Sequence, residues 1–196
     1  AQALREPLNR QVFHVRASDF DETERIVQHL TTVGIKRIAV FYQNDSYGKA
    51  GLEGVTRALD KRGLKAVAAV TVERNSVDVA AALAGILKTN PEVVVQVSAY
   101  KSCAALIRQA RAQGYRGQFF NLSFVGSQAL ADELGDAGVG VTISQVVPFP
   151  YTASTPLVRQ YQQRMKELGS PELDLTSFEG YLAALVLVEG LMHAGR

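Results

Sequence analysis

The sequence predicts an α/β protein built on one doubly wound parallel sheet. Two observations predict it. From residue 37 to residue 147, short apolar runs rich in β-branched residues alternate with amphipathic stretches at helical spacing, the pattern of successive βαβ units. One of those runs, Val93–Val97, reads as a strand covered on both faces, as a parallel sheet requires. With right-handed crossovers, strands counted from Arg37 take the order 2-1-3-4-5.

Each element follows from local signals. Ala1–Gln11 is polar, carries Pro7 and has no period, so it reads as a leader or linker; Val12–Arg16 is a short extended run. Ser18 or Asp19 caps a helix whose buried stripe is Ile26, Leu30 and Val33, and Gly34 ends it. Strand Arg37–Tyr42 leads into a helix over Tyr47–Arg62, with Leu52, Val55 and Leu59 on one face and Gly63 as its stop. Lys65–Val72 is the second strand. Asn75-Ser76 caps a helix with Ala80, Leu83, Ala84 and Leu87 on one face, broken at Asn90-Pro91. After strand Val93–Val97, helix Tyr100–Gln113 ends at Gly114, and strand Gly117–Leu122, helix Gln128–Leu134 and strand Val139–Val147 follow. Pro148-Phe-Pro150 cannot continue a central strand, because proline removes ladder donors. Leu157, Tyr161, Met165 and Leu168 mark an amphipathic helix ended by Gly169-Ser-Pro171. Thr176 or Ser177 caps a last helix, Phe178–His193, apolar almost all round and therefore expected to be buried.

The totals narrow the function. With 196 residues, 47% hydrophobic, 20% charged and a net charge of +2, the chain is an ordinary globular one. No basic run favours nucleic acid as a partner. The single cysteine, Cys103, lies in an apolar helical stretch and reads as a small buried hydrophobe. No N-terminal signal pattern is present, so the chain is expected to be cytoplasmic, processed or a fragment. The most apolar segment, Phe178–Met192, is shorter than a membrane span and contains Glu179 and Glu189.

Catalytic devices are missing from the pattern. No Gly-x-Gly-x-x-Gly, P-loop or Gly-x-Ser-x-Gly motif is present, and His14, His29 and His193 share no ligand spacing, so neither cofactor nor metal is expected. The Asp19-Phe-Asp21-Glu22 and Asp132-Glu133 clusters read as helix-dipole partners rather than acid–base pairs.

What remains is a cleft. Ligands of open α/β sheets bind outside the carboxyl ends of the strands, at the switch point. Here that point lies between the first and third strands, at the loops Asn44–Tyr47 and Ser98–Tyr100. The candidate residues are Ser46, Tyr47, Arg74, Ser98, Tyr100, Ser123 and Phe124. Each has a structural alternative. Tyr47 either lines the cleft or covers the sheet end, and Tyr100 either lines it or packs under its own helix. Ser123 is either a contact or a turn residue, Asp45 and Ser46 hold the turn and cap the helix, and Arg74 is either solvated or a contact. Phe149 packs at a hinge.

Ile38-Ala-Val-Phe-Tyr-Gln-Asn-Asp-Ser-Tyr-Gly-Lys49 resembles the type I periplasmic binding proteins of the leucine/isoleucine/valine-binding kind. Phe13-His-Val-Arg16 with Ser18-Asp19, Asp78 with Asn90-Pro-Glu-Val-Val94, Leu106-Ile-Arg-Gln-Ala-Arg111 with Gly114, and Tyr181-Leu-Ala-Ala with Ala194-Gly195 extend the match over nearly the whole chain. The resemblance implies two α/β lobes joined by three hinge strands, with a small ligand clamped between them. It implies residues 1–11 as linker, 12–147 as the second lobe, 148–154 as a hinge crossing, and 155–196 as two helices that belong with an incomplete first lobe. The first lobe's sheet and the signal peptide would then lie outside this chain.

By position, Tyr47 matches the aromatic residue lining the family's cleft, and Tyr100 matches, within one position, the tyrosine after the third strand. Ser123 falls where amino-acid-binding members place an acidic residue for the ligand ammonium. That is a departure, because a serine hydroxyl cannot supply the charge-assisted bond an ammonium favours. A small carboxylate, an aromatic acid or an amide suits Tyr47, Tyr100 and Phe124 as well as an amino acid does. The implied function is a bacterial periplasmic solute-binding component, not an enzyme, feeding the membrane permease of an ABC transporter. The alternatives are an enzyme of flavodoxin-like fold or the effector domain of a regulator. The last helix is expected to pack on the second lobe or to self-associate through Phe178–Met192.

Overall fold

The computed structural model describes residues 4–169 and 172–195. Ser18 starts the first helix, α1 (Asp19–Thr32), with a capping box: its hydroxyl accepts from the Asp21 amide while the Asp21 carboxylate accepts from the Ser18 amide. Donors left open at a helix start are thereby satisfied. There follow β1 (Ile38–Gln43), α2 (Ser46–Asp60), β2 (Ala68–Val72), α3 (Ala80–Thr89), β3 (Val93–Val97), α4 (Tyr100–Ala112), β4 (Gln118–Asn121), α5 (Ser127–Leu134) and β5 (Val141–Ile143), then α6 (Pro156–Glu167) and α7 (Leu175–Ala194). Every strand pair is parallel and the order is β2-β1-β3-β4-β5, as the sequence predicts. Two compact units result: the chain up to Leu8 with Ser18–Ser144, and Asn9–Ala17 with the chain from Gln145 on.

In the first unit, alternation along the strands sends side chains to two cores. Ile38, Val40, Val93, Val95 and Val97 pack with Ile26, Val27 and Leu30 of α1 and Val55 and Leu59 of α2. Ala39, Phe41, Val94 and Phe119 pack with Leu83 and Ile86 of α3, Leu106 and Ile107 of α4, and Leu130 of α5. All five residues of β3 are buried, as a central strand covered on both faces should be.

Helix α2 sits unusually close to its surroundings. A Cβ at Gly48 would lie 1.9 Å from the Gln43 carbonyl oxygen, one at Gly51 2.4 Å from Val97 Cγ1, and one at Gly54 2.3 Å from Thr23 Oγ1. The three glycines let α2 press on the end of its own strand, on the sheet and on α1.

Several local expectations are corrected. Strand β2 begins at Ala68 rather than Lys65, and β5 covers only Val141–Ile143 of Val139–Val147, with Val139 exposed and Ser144 already turned to other partners. Asn75-Ser76 does not cap α3: Asn75 takes a left-handed turn conformation, and the Ser76 hydroxyl accepts from Asp78, short of the helix. The buried face of α3 is Val79, Ala82, Leu83 and Ile86, not the face holding Ala80 and Ala84, because bulkier side chains gain more from burial. Val33 and Leu168, at helix ends, are exposed; Val27 completes the α1 stripe instead. Among the described residues Val12–Arg16 forms no strand. The expected helix stop Gly169-Ser-Pro171 lies partly outside the described residues; α6 ends at Glu167.

The second unit has a small aromatic core. Val158, Tyr161 and Phe178 are buried, with the Tyr161 and Phe178 rings 4.6 Å apart. The Tyr161 hydroxyl pairs with Ser177, and Arg16 holds both carboxylate oxygens of Glu179 at 2.8 Å. Asp174, not Thr176 or Ser177, caps α7, accepting from both of their amides. Starting earlier, α7 reaches 20 residues, long and apolar enough by length and composition to cross a membrane. The expected burial of this helix does not hold. Only Phe178 of α7 is buried, while Leu187, Leu191 and Met192 are 63%, 63% and 71% exposed. An all-round apolar helix needs neighbours on every side, and only its first turns find them here.

Two predictions follow from these contacts. Gly48→Ala forces a methyl into a backbone carbonyl that cannot rotate away, so it should lower unfolding free energy by about 3 kcal/mol. Gly180→Ala, a helical position with open space around it, should be neutral or stabilising by up to about 1 kcal/mol; urea midpoints compare the two. The Ser18 hydroxyl and amide hold the Asp21 carboxyl below its ordinary 3.8. A depressed carboxyl stabilises the fold above its unfolded value and loses that contribution as pH falls through its folded value. The stability difference between wild type and Asp21→Asn should therefore be constant near neutral pH and shrink as pH falls below 3.8, in denaturant titrations across that range.

Candidate functional site

At the carboxyl end of β1 the chain turns sharply into α2, and Asp45 organises the turn. Its Oδ2 accepts from the Gln43 side-chain amide at 2.5 Å and its Oδ1 from the Gly48 amide at 3.0 Å, capping α2. Asn44 donates its amide to Val72, tying the turn to the end of β2. Ser46 is exposed at the first position of α2. Tyr47, next along, is half-buried against the core formed with α1 and α2.

The Tyr47 ring meets the Phe124 ring at 4.9 Å between centroids and 53° between planes. Phe124 is 65% exposed, so this aromatic pair stands at the surface of the strand ends. It comes from a short 3₁₀ turn, Ser123–Val125, that follows β4. Ser123 begins that turn and is half-buried.

Behind Ser123 lies a carboxylate that sequence reasoning assigned to the helix dipole. Glu22, in the first turns of α1, is 5% exposed. Its Oε2 accepts from the Ser123 amide at 2.9 Å and from the Ser144 hydroxyl at 2.6 Å, and its Oε1 accepts from the Ser123 hydroxyl at 2.9 Å. Three donors from the ends of β4 and β5 thus converge on one acid from α1. A buried carboxylate requires such bonds. A signal did exist in the sequence: Glu22 falls on the same helix face as the buried Ile26, one turn on.

The other candidates are placed separately. Ser98 directly follows β3 and is 1% exposed; its carbonyl accepts from Cys103 Sγ at 3.5 Å, and its own hydroxyl has no hydrogen-bond partner among the described residues. Tyr100 opens α4 and packs against the core on the opposite face of the sheet from Tyr47, with Lys101 Nζ 5.9 Å from its ring centre. The register pairs Tyr42 with Val97, so β1 and β3 end side by side and the two tyrosines flank the switch point from opposite faces. Arg74 is exposed in the turn after β2, and no hydrogen bond or ion pair joins it to the other candidates among the described residues. Phe149 is 59% exposed and meets Tyr151 edge-on. Cys103 is fully buried, and burial pushes its thiol well up from its ordinary range, so it is no nucleophile. Among the described residues no cluster of three His, Cys, Asp or Glu side chains is arranged to hold a metal. The groove between α5 and β5, lined by Leu130, Leu134, Val141 and Ile143, offers no polar side chain to orient a ligand.

The candidate site is therefore an aromatic pair beside a serine backed by a buried acid, at the strand ends of a 2-1-3-4-5 sheet. The family model for periplasmic binding proteins matches residues 2–196. The chain belongs to the periplasmic binding protein family. That family consists of solute receptors rather than enzymes. Among curated relatives of this binding protein, the leucine-specific-binding protein of Salmonella typhimurium is 24% identical over 166 residues, 84% of this chain and 45% of the relative. Among solved structures, a possible leucine/isoleucine/valine-binding protein of Rhodopirellula baltica is 36% identical with a TM-score of 0.88, covering 96% of this chain and 53% of that one. A substrate-binding periplasmic protein of Ralstonia solanacearum is 30% identical with a TM-score of 0.86, covering 96% and 54%. This binding-protein chain thus spans about half the length of the relatives it matches.

The Ser144 hydroxyl bonds a charged group, an interaction typically worth about 2 kcal/mol when its loss leaves the acid under-satisfied. Ser144→Ala should lower stability by about that amount in chemical denaturation, with a larger loss than Ser46→Ala at the exposed start of α2.

Proposed function

We propose that this chain forms the ligand-contacting lobe of a bacterial periplasmic solute-binding protein. Its ligand is a small amino acid or a related carboxylate, aromatic acid or amide, delivered to the membrane permease of an ABC transporter. The observation that carries the reading is the strand-end corner, where Tyr47 and Phe124 form an aromatic wall next to Ser123 and Glu22. Flat aromatic surface with few polar groups suits a small solute that must be held without being transformed. Ser98 is buried just after β3 and Tyr100 opens α4 beside it, while Ser46 and Arg74 are exposed after β1 and β2. The reading also draws on the family and on relatives named for leucine and for leucine/isoleucine/valine.

In this reading residues 12–147 form one lobe, 148–154 a crossing, and 155–196 helices of the other lobe. Ligand contacts made from both lobes favour the closed form over the open one, which is what lets a ligand drive closure. The exposed apolar residues of α7 require a cover, either the rest of the two-lobed protein or a second copy through Phe178–Met192.

Thermal-shift screening of the full-length protein against L-amino acids, small carboxylates, aromatic acids and amides tests the reading. A ligand at a hundred times its dissociation constant should stabilise the folded protein by about 2.7 kcal/mol and be recovered unchanged. No stabilisation by any class, or release of a converted product, would count against it.

A further inference from the structure

We propose that β3 and β4 are joined inside the core by one buried water molecule, held by the side chains of Gln96, Asn121 and Ser98. The site goes beyond the solute-binding reading and does not depend on it. The three residues are buried, at 1%, 0% and 1% exposure. Gln96 Oε1, Asn121 Oδ1 and Ser98 Oγ each have no hydrogen-bond partner among the described residues. A buried polar atom without a partner is costly, so three at neighbouring positions point to a common partner.

The fold gathers these groups. Val94 and Phe119 face the core under α3, α4 and α5, and alternation puts Gln96 and Asn121, two residues on, on that same face. The register pairs Gln96 directly with Asn121, and Phe41 flanks Gln96 on its other side. Gln96 and Ser98 both meet Cys103 of α4. The Gln96 amide nitrogen donates to the Cys103 carbonyl at 3.3 Å, and the Cys103 thiol donates to the Ser98 carbonyl at 3.5 Å. The Asn121 amide nitrogen donates to the Thr142 carbonyl at 3.4 Å. These bonds decide which way both amides point, because turning either over would set its oxygen against a carbonyl oxygen. Each amide therefore offers its oxygen as the open end, and two acceptors cannot bond one another. A water serves both: it gives one proton to Gln96 Oε1 and the other to Asn121 Oδ1, and it accepts the Ser98 hydroxyl proton. Paired residues on neighbouring strands start about 4.8 Å apart, and a water bonded at about 2.8 Å to each of two acceptors reaches across a gap of that size. All three partners are uncharged, so a cation in the same place would be a buried charge without a counter-charge. Phe41, Cys103 and Leu106 belong to the same core, which keeps the water from bulk solvent and makes it slow to exchange.

Oxygen-17 relaxation dispersion, which counts long-lived internal waters, tests it on the full-length protein. Replacing both acceptors, Gln96→Leu with Asn121→Leu, should lower the count by about one relative to wild type. Ser98→Ala removes one of the water's partners and leaves both acceptors. There the water should stay but exchange about tenfold faster, as one lost hydrogen bond implies. That variant serves where the double one does not fold by circular dichroism. A high-resolution crystal structure of the wild type should show one ordered water within hydrogen-bond distance of all three oxygens. An unchanged count in the folded double variant overturns the inference, and so does an unchanged exchange time in Ser98→Ala. A crystal structure with a cation in that place, or with Gln96 and Asn121 paired directly to other groups, overturns it too. None of these outcomes touches solute binding, which the ligand screen tests by itself.

Discussion

The close approach of α2 to the sheet is the constraint on which the site depends. Helices normally stand off their neighbours by the thickness of their side chains, but Gly48, Gly51 and Gly54 remove that thickness toward the end of β1, the sheet and α1 in turn. The first turn of the helix then closes on the Gln43 carbonyl, and Asp45 can bridge Gln43 and the Gly48 amide with one carboxylate. Tyr47 has little freedom in such a turn. It is delivered to the strand ends by the same close contact that packs α2 against α1, through Gly54 and Thr23. Rigid placement of a single aromatic ring thus rests on about two turns of helix, and a methyl group at any of the three glycines would disturb it.

Glu22 extends the same logic to electrostatics. Because α1 and α2 pack together, the first turns of α1 lie over the ends of β4 and β5, and a carboxylate there finds the Ser123 and Ser144 donors. Removing a charge from water is costly unless its lone pairs are satisfied, and here bonds from a backbone amide and two hydroxyls serve that end. The acid therefore orients two loops that are far apart in sequence.

Much of the fold was legible in the sequence, for definite reasons. Continuous apolar runs such as Val93–Val97 mark strands covered on both faces, and their alternation with helices leaves few topologies. Element ends were harder. Val139–Val147 reads as one strand by composition, yet Val139 is exposed and pairing covers only three residues. The cap of α7 was displaced because Asp174, Thr176 and Ser177 are all good capping residues, and only geometry selects among them. Among the candidate residues, the strand-end place of Tyr47 was visible because a loop after a β strand announces itself. The burial of Glu22 could be read from its helix face, but its partners could not, since they lie 101 and 122 residues away and no local pattern links them.

The two units differ in how completely their apolar surface is enclosed, and this bears on where binding precision can reside. In the first unit β1 and β3 are buried on both faces by helices from either side. Among the described residues of the second, the apolar core is Val158, Tyr161 and Phe178, and α7 leaves most of its length exposed. Segments with few buried contacts open at lower free energy than those with many. Glu22, Tyr47, Ser123, Phe124 and Ser144 all belong to the first unit. Their mutual geometry therefore rests on the sheet and its two helix layers, and it does not require α6 or α7 to be ordered. On the proposed solute-binding reading, contacts held in advance by this unit would leave less ordering to be done when a ligand arrives.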